Sequence, residues 1–303
     1  MPCISAIVPA YNAERTIKET INSVQNQTFY DLEIIVIDDG STDRTLEILA
    51  SISDDRLKIF SYENSGVCVA RNRGISHASG EFIAFVDADD LWEADKLEAQ
   101  SIALKQDPTA DIAYSWTYFF YEQTGEKVPG HPAYFEGDVY PDLLQQNFIA
   151  NGSNILARRK AIDRVGGFDP TFPHCADWDY YLRLAACCKF ALVRKHQIVY
   201  RQSTTSMTST KLEEIERQCL SMLTKAYQSA PAEYQYLKNH SLCWIYEYCT
   251  QQYLQYSTDV TGIQTASQKL WQAVQIRPQI LLEGYGQSLM RGLIKRWFLM
   301  LMP

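Results

Sequence analysis

The stretch GEFIAFVDADDLW, from Gly80 to Trp92, decides the fold of this chain. An unbroken apolar run, FIAFV, is followed within four positions by carboxylates at Asp87, Asp89 and Asp90. Burying such a cluster is unfavourable unless something positive lies among it. A metal ion, a cationic side chain or plain water could each fill that role, and the rest of the chain has to decide between them.

The apolar run predicts a buried strand over residues 81–90, because five consecutive apolar residues suit a strand that is covered on both faces. Side chains alternate along a strand, so Asp87 and Asp89 are expected on the same side. Two carboxylates on one side suit a hard divalent cation that keeps positions open for phosphate oxygens. The alternative is that Asp89 and Asp90 cap a helix that begins near Trp92.

Outward from this stretch, apolar strands alternate with segments that carry apolar residues at helical spacing. The predicted strands are 4–10, 32–39, 57–61 and 81–90, and the predicted helices are 14–24, 41–52 and 66–78. Strict alternation of this kind predicts an α/β fold with a mostly parallel central sheet covered by helices on both faces.

Polar residues lie at the carboxyl end of each predicted strand or shortly after it. They are Tyr11 and Asn12, Asp38 and Asp39, Asn64, and Asp87 and Asp89. Ligands of open parallel sheets bind beyond the carboxyl ends of the strands. The sequence therefore predicts one cleft that these four strand ends share.

The composition narrows the class of protein. The chain has 303 residues, a formal net charge of −8 and a pI near 5.2. A nucleic-acid binder would normally show a basic face, so nucleic acid is not expected as a partner. The amino-terminal sequence MPCISAIVPAYN lacks the pattern of a signal peptide, which favours a cytoplasmic protein whose eight cysteines are reduced thiols.

The alternation loosens after about residue 112, where two further strands are predicted over 112–123 and 189–201. From about residue 210 the pattern is helical to the end. We therefore expect a domain over 1–210, which divides near residue 110 into two halves, and a C-terminal helical appendage over 211–303.

Four segments, VPAYNAE, IDDGSTD, NSGVCVARNRG and FVDADD, occur in this order and each lies at a strand end. Together they resemble the family 2 glycosyltransferases, from about Ile4 to Ser209. The resemblance implies a Rossmann-like nucleotide-diphospho-sugar transferase fold of the GT-A type. It also implies inverting transfer of a sugar from a nucleotide sugar, most often a uridine diphosphate sugar, with a nucleotide-binding half at 1–110 and an acceptor-binding half at 111–210.

The resemblance further implies roles for individual residues. The implied donor-binding residues are Pro9, Ala10, Tyr11, Glu14, Asp39, Asn64, Arg71, Asp87 and Ala88. In such enzymes the residue matching Asp39 commonly holds the base, and those matching Asn64 and Arg71 lie near the base and phosphates. Asp87 would touch the ribose or the metal, and Asp89 would ligate a divalent cation, manganese or magnesium, that bridges the diphosphate.

The later segment GGFDPTFPHCADWDYYLRL resembles the family's turn and helix that carry the catalytic base, which places Asp177 in that role. Ala176 stands where the family usually has glutamate, and Ser203 stands where it often has histidine after the pair that matches Tyr200 and Arg201. Two alternatives stay open: Asp177 as a helix N-cap, and Asp179 as the base.

Displacing a nucleoside diphosphate from an anomeric carbon needs stabilisation of the leaving group and a base on the opposite face. A metal at Asp89 and the carboxylate of Asp177 would supply them, and one direct displacement inverts the anomeric centre. Two other functions compete with this one. A nucleotidyltransferase would need a basic, Gly-rich loop where the chain has PAYNAERT, and an inactive assembly subunit would bind the donor without consuming it.

The resemblance is compatible with a glycan, a lipid-linked glycan or a protein as acceptor. The terminal segment QSLMRGLIKRWFLMLMP combines apolar residues with Arg291, Lys295 and Arg296, and it is too short to cross a bilayer. It fits a helix lying in the membrane interface, which predicts peripheral membrane contact through 286–302 at the inner face of the membrane. The alternative is packing on neighbouring helices or on a second subunit of a homo-oligomer.

Overall fold

The computed structural model describes residues 2–203, 211–257 and 259–301, which form two compact units. The first unit comprises Met1–Tyr140 and Phe148–Gln202, and the second comprises Pro141–Asn147 and Ser203–Pro303. The predicted boundary near residue 210 falls on residues 204–210, which lie outside the described residues.

The first part of the sheet follows the predicted alternation. It consists of β1 (Ile4–Ala10), α1 (Ile17–Gln25), β2 (Leu32–Asp38), α2 (Thr45–Ala50), β3 (Leu57–Ser61), α3 (Val67–His77) and β4 (Phe82–Phe85). The four strands are parallel in the order β3-β2-β1-β4, and Ile7 pairs with Ile35 on one side and Phe85 on the other. All residues of β1 and β2 are buried, which is why both strands are mainly apolar.

The remaining elements of the first unit extend the sheet in mixed directions. They are β5 (Leu91–Trp92), α4 (Lys96–Gln106), β6 (Ala110–Tyr121), β7 (Glu126–Pro129), α5 (Tyr140–Gln145), β8 (Leu156–Arg158), α6 (Arg159–Val165), α7 (Ala176–Ala185) and β9 (Lys189–Gln202), with α5 continuing into the second unit. The full order is β3-β2-β1-β4-β8-β6-β9-β5, and β7 pairs with β6. The longest pairings, β1 with β2 and β6 with β9, are parallel, so the predicted α/β class is confirmed.

The structure corrects the predicted fourth strand. It ends at Phe85, and the backbone then turns, with the amide of Asp90 donating to the carbonyl of Asp87 over 3.0 Å. The alternation of an extended strand therefore does not determine where Asp87 and Asp89 point. The capping alternative is also wrong, because Trp92 lies in β5 and the next helix begins at Lys96.

The second unit is helical over its described residues. It contains α8 (Leu212–Ser229), α9 (Lys238–Tyr256), α10 (Val260–Ile276) and α11 (Gly284–Leu301), with short 3₁₀ helices at Ala232–Leu237 and Pro278–Leu282. Its core includes Cys243, Ile263 and Leu289. The segment 141–147 joins this unit, where the carbonyl of Leu144 accepts a 2.6 Å hydrogen bond from Ser241. No helix among the described residues is long and apolar enough to cross a membrane.

Candidate active site

The loops that follow β1 and β2 are joined by hydrogen bonds. Asn12, in the left-handed region at φ 47°, donates its amide to Ser41 and accepts a 2.8 Å bond from the amide of Thr42. Glu14 donates its amide to Asp43, and its carboxylate accepts from the amide of Arg44, both over 3.0 Å. Glu14, predicted to bind the donor, therefore holds two loops together in this structure.

These loops surround the exposed end of β1. Pro9 and Ala10 are buried as the last residues of β1, and the amide of Asp39 donates to the carbonyl of Ala10 over 2.8 Å. The next residue, Tyr11, is 53% exposed. The predicted donor-binding residues here thus differ in exposure. Pro9 and Ala10 are buried in the strand, whereas the side chain of Tyr11 is open to solvent.

Asp39 holds the loop between β3 and α3. Its carboxylate accepts from the amides of Ser65 and Gly66, the latter over 2.7 Å, and from the guanidinium of Arg73 over 3.0 Å. The side chain is buried, so these donors compensate its charge inside the protein. Asn64 lies in the same loop and is exposed.

The approach of this loop to β2 depends on Gly40, which has φ 78°. A Cβ atom at this position would lie 2.9 Å from the amide nitrogen of Asn64, which is closer than real side chains come. Glycine therefore lets the two loops meet, and it accepts the left-handed conformation without strain.

Arg71, on α3, pairs with the first of the three carboxylates after β4. Its Nη2 lies 2.5 Å from Oδ1 of Asp87, and its guanidinium lies 5.0 Å from the centre of the Phe168 ring. The backbone of Gly152 covers this pair, and a Cβ there would collide with the guanidinium. The cation that the opening stretch demands is thus supplied to Asp87 by the chain itself.

The turn 87–90 is fixed by Ser153, which precedes β8. The amide of Asp87 donates to Oγ of Ser153 over 3.0 Å, and the same hydroxyl donates to the fully buried carboxylate of Asp90. The indole of Trp92 donates to the carbonyl of Ser153 over 2.8 Å. One serine therefore links both ends of the turn.

Arg201, near the end of β9, holds the other side of the turn. Its Nε donates to the carbonyl of Asp89 over 2.9 Å, and its amide donates to Oδ1 of Asp90 over 3.1 Å. Its Nη2 forms an ion pair with Glu19 at 2.7 Å. The guanidinium thus positions the backbone of Asp89 while its terminal nitrogens are directed to other carboxylates.

Asp89 lies in surroundings with too little positive charge. Burial and then the negative charge of Asp87 raise its pKa to about 6, and the lowering effect of Arg201 is smaller. Burial also raises the pKa of Asp90, with further contributions from Asp89 and Asp87. A divalent cation beside Asp89 would relieve this imbalance, so the residues present fit a metal that takes its other ligands from a diphosphate and water.

Within 2–203, 211–257 and 259–301, no group of three or more His, Cys, Asp or Glu side chains is arranged to hold a metal ion. A cation beside β4 could draw only on few protein ligands, such as the carboxylate of Asp89 and that of Asp87, which is already paired with Arg71. This small ligand number is typical of Mg²⁺ sites that are completed by substrate phosphates.

Asp177 lies in the first turn of α7, which begins at Ala176 as predicted. The N-cap position belongs to Cys175, so the capping alternative for Asp177 is wrong. Burial lowers the pKa of Arg71, but the negative charges of Asp87 and Asp177 raise it above its ordinary value. The structure therefore brings Asp177 and Asp87 within electrostatic reach of the same guanidinium.

Asp179, the alternative base, forms an ion pair with Arg183 one turn further along α7, with 2.8 Å between Oδ2 and Nε. It is buried, whereas Asp177 is half-buried. Among the two departures from the family pattern, Ala176 is buried at the start of α7 and Ser203 follows the last residue of β9.

Sequence reasoning missed two residues that organise this site, Arg73 and Ser153. Arg73 stands two positions after Arg71 in NSGVCVARNRG, and its role depends on a loop that only the fold brings near. Ser153 belongs to the buried polar run Asn151 to Asn154, which precedes the apolar residues of β8. Such a run directly before an apolar strand is a signal that could have been used.

A sequence model described as "Glycosyltransferase like family 2" matches residues 5–252 of this chain. The chain belongs to this family. It is 34% identical over 226 residues to UDP-Glc:alpha-D-GlcNAc-diphosphoundecaprenol beta-1,3-glucosyltransferase WfgD of Escherichia coli, covering 71% of this chain and 83% of that protein. Membership of the family makes this protein a glycosyltransferase enzyme.

Two solved structures of glycosyltransferases share the fold. TarS 1–349 of S. aureus, in complex with UDP-GlcNAc, has a TM-score of 0.69 at 19% identity and covers 97% of this chain and 89% of that one. The mannosyltransferase PcManGT from Pyrobaculum calidifontis, in complex with GDP-Man and Mn²⁺, has a TM-score of 0.60 at 18% identity, covering 98% and 87%. These matches confirm the predicted GT-A type of fold for this family 2 member.

Proposed function

We propose that this protein transfers a sugar from a uridine diphosphate sugar to a hydroxyl group of a lipid-linked glycan, with inversion at the anomeric carbon. The observation that carries the proposal is the convergence of Asp87 and Asp177 on Arg71. We assign the two carboxylates, which come from separate parts of the first unit, to opposite sides of one site, as a displacement with a leaving group on one side and a base on the other requires.

In this proposal the donor lies against the carboxyl ends of β1, β2 and β4. Tyr11 and the loop held by Asp39 form the nucleoside side, and Arg71 with the turn 87–90 forms the diphosphate side. The remaining donor contacts are assigned to Pro9, Ala10, Glu14, Asn64, Asp87 and Ala88. The joined loops support such a role, because donor contacts that are fixed before binding lose little entropy on binding.

A divalent cation, Mn²⁺ or Mg²⁺, would be held by Asp89, with Asp87 beside it. When bound, it would stabilise the negative charge of the departing diphosphate. The chain's contribution is to fix the position of Asp89 through Ser153 and Arg201, and to keep the carboxylate in surroundings that favour a cation. The Mn²⁺ in the complex of the mannosyltransferase PcManGT supports this assignment.

Asp177 is the proposed general base, accepting the proton of the acceptor hydroxyl as its oxygen attacks the anomeric carbon. Its place in the first turn of α7, half-buried and near Arg71, supports this role. The guanidinium of Arg71 also lowers the repulsion between Asp177 and the diphosphate.

The acceptor class follows from the relative WfgD, whose name specifies a GlcNAc residue on a lipid diphosphate. We assign the same class, a sugar on a lipid diphosphate, to this protein. Such a substrate would place the enzyme at the cytoplasmic face of a membrane. The division into a catalytic domain over 1–210, with halves at 1–110 and 111–210, and a helical region over 211–303 is part of this proposal.

The test is turnover by the purified full chain. The protein is incubated with UDP-glucose or UDP-N-acetylglucosamine, Mn²⁺ and a synthetic GlcNAc-diphospho-lipid, and the products are analysed by mass spectrometry and by NMR of the new linkage. We expect one donor to yield a product of inverted anomeric configuration and free UDP. Donor binding without consumption would instead identify an inactive assembly subunit, and release of pyrophosphate in a parallel assay with UTP and a sugar 1-phosphate would identify a nucleotidyltransferase.

A further inference from the structure

The terminal helix α11 has an exposed face that combines apolar and basic side chains. Exposed residues recur three or four positions apart along it, and they are Arg291, Ile294, Lys295, Phe298 and Leu299. This spacing places them on one face of the helix. We call this set the basic-apolar face.

Its apolar members are largely open to solvent: Ile294 is 56% exposed, Phe298 62% and Leu299 61%. The opposite side of the helix is buried through Leu289 and Leu293 in the core of the second unit. The basic-apolar face is therefore not needed for packing within this unit. Large apolar side chains exposed together on one face indicate an interaction surface.

The charges of α11 are all of one sign. The segment 284–301 contains Arg291, Lys295 and Arg296 and no aspartate or glutamate, in a chain whose net charge is −8. Neither Arg291 nor Lys295 forms an ion pair with another described residue. A positive surface kept on a negative protein is complementary to an anionic partner.

A cavity of about 330 Å³ lies beside this face, lined by Leu254, Gly292, Lys295, Arg296 and Leu299. Two of these residues are cationic, and Arg296 is held in place by donating to the carbonyl of Leu254 over 2.9 Å. The cavity thus places the positive charges of Lys295 and Arg296 next to the apolar side chains of Leu254 and Leu299.

We propose that the basic-apolar face of α11 docks on the surface of a bilayer that contains anionic lipids, with Ile294, Phe298 and Leu299 entering the interface. An amphipathic helix with basic residues and large apolar residues binds in this way. A second copy of the chain is a poorer partner, because a symmetric contact would place Arg291 and Lys295 against their own counterparts without a carboxylate between them.

The test is flotation of the purified full chain with vesicles of phosphatidylcholine alone, and with vesicles in which phosphatidylglycerol replaces about a third of that lipid. We expect clear flotation with the second vesicles and little with the first. Lys295→Gln should weaken partitioning about fivefold, whereas Lys238→Gln, at another exposed lysine of the second unit, should leave it unchanged.

Phe298→Ser should weaken partitioning about tenfold or more, and Tyr236→Ser, which removes another exposed aromatic ring, is its matched control. All four side chains are exposed, so the variants should melt as the wild type does. No flotation of the wild type with anionic vesicles, or equal flotation of the Phe298 variant, would overturn the proposal. The proposal would also be overturned if the wild type sedimented as a dimer in the ultracentrifuge and Phe298→Ser converted it to a monomer.

Vesicle binding is measured without donor or acceptor. The result therefore tests membrane docking independently of the proposed transfer reaction.

Discussion

Two turns at the same edge of the sheet treat their carboxylates in opposite ways. The carboxylate of Asp39, after β2, is met by two backbone amides and by Arg73. The carboxylate of Asp89, after β4, lies near Asp87 and Glu122, and burial together with the charge of Asp87 raises its pKa. The chain neutralises the first charge internally and leaves the second partly uncompensated.

The difference indicates which part of the site is complete before a ligand arrives. A buried charge with all its partners stabilises one loop geometry, as Asp39 does for the loop before α3. A carboxylate that lacks positive charge has an increased tendency to bind a cation or a proton. Under the proposed function, the nucleoside side would thus be preformed, and the diphosphate side would be completed by the cation and the donor that bind there.

The largest effect is expected from Asp177→Asn, which removes the proposed base and leaves both turns intact. We expect kcat to fall by about 10³-fold, within the range that general-base catalysis contributes, with donor affinity close to that of the wild type. Kinetics of UDP release with donor titrations measure both. Asp163→Asn, at an exposed position on α6, is the matched control, and an active Asp177 variant would contradict the assignment.

Asp39→Asn removes the carboxylate that holds the loop between β3 and α3. The variant leaves Arg73 without its carboxylate, so we expect the free energy of unfolding to fall by about 3 kcal/mol and donor binding to weaken. Urea denaturation and UDP titration are the measurements. The exposed Asp55→Asn should change neither, and unaltered stability of the Asp39 variant would show that this charge is not compensated as described.

Ser153→Ala removes the hydroxyl group that links both ends of the turn 87–90. It leaves the buried carboxyl group of Asp90 without one hydrogen bond, and we expect a loss of about 1–3 kcal/mol in stability and weaker metal-dependent donor binding. Ser101→Ala, at a buried serine of α4 that donates to the carbonyl of Glu98, is the control. If both serine variants bind the donor equally well, Ser153 does not position the turn.

Glu33→Gln tests a second carboxylate whose charge the chain itself compensates. Glu33 lies near the amino ends of β1 and β2. Burial alone would raise the pKa of Glu33, but hydrogen bonds from Lys58, Ser5 and Ser79 lower it from 4.5 to about 2. A lowered pKa stabilises the fold above the unfolded value, and this contribution is lost as pH falls through 4.5 towards 2.

Because Lys58 is half exposed, solvent screens the pair, and we expect the Glu33 contribution to be about 1 kcal/mol. Urea denaturation between pH 6 and pH 3, in about half-unit steps, measures it. The variant should be less stable at pH 6 and should lose less stability on acidification. Parallel pH curves for the two proteins would contradict the assignment.

The strands β1, β2 and β4 could be predicted because their apolar runs indicate burial on both faces. The bounds of β1 and of the more exposed β3 agree with the structure. The turn 87–90 could not, since its geometry depends on Ser153 and Arg201, which lie about 60 and 110 positions further along the chain. Local periodicity favours an extended strand at that point, and distant hydrogen bonds override it.

The candidate site shows the same limit. The position of Asp177 at a helix start follows from local sequence, whereas the pairing of Asp39 with Arg73 depends on how a loop folds back. Strand β8, with three residues, is too short to show a period of its own, so its place between β4 and β6 was not predicted.

The most direct test of the account is calorimetric titration of UDP into the wild type and Asp89→Ala, each with Mn²⁺ and with EDTA. We predict binding by the wild type that depends on Mn²⁺, and a variant whose weak binding is the same in both conditions. Equal binding by both proteins in both conditions would contradict the claim that the turn after β4 is completed by a cation.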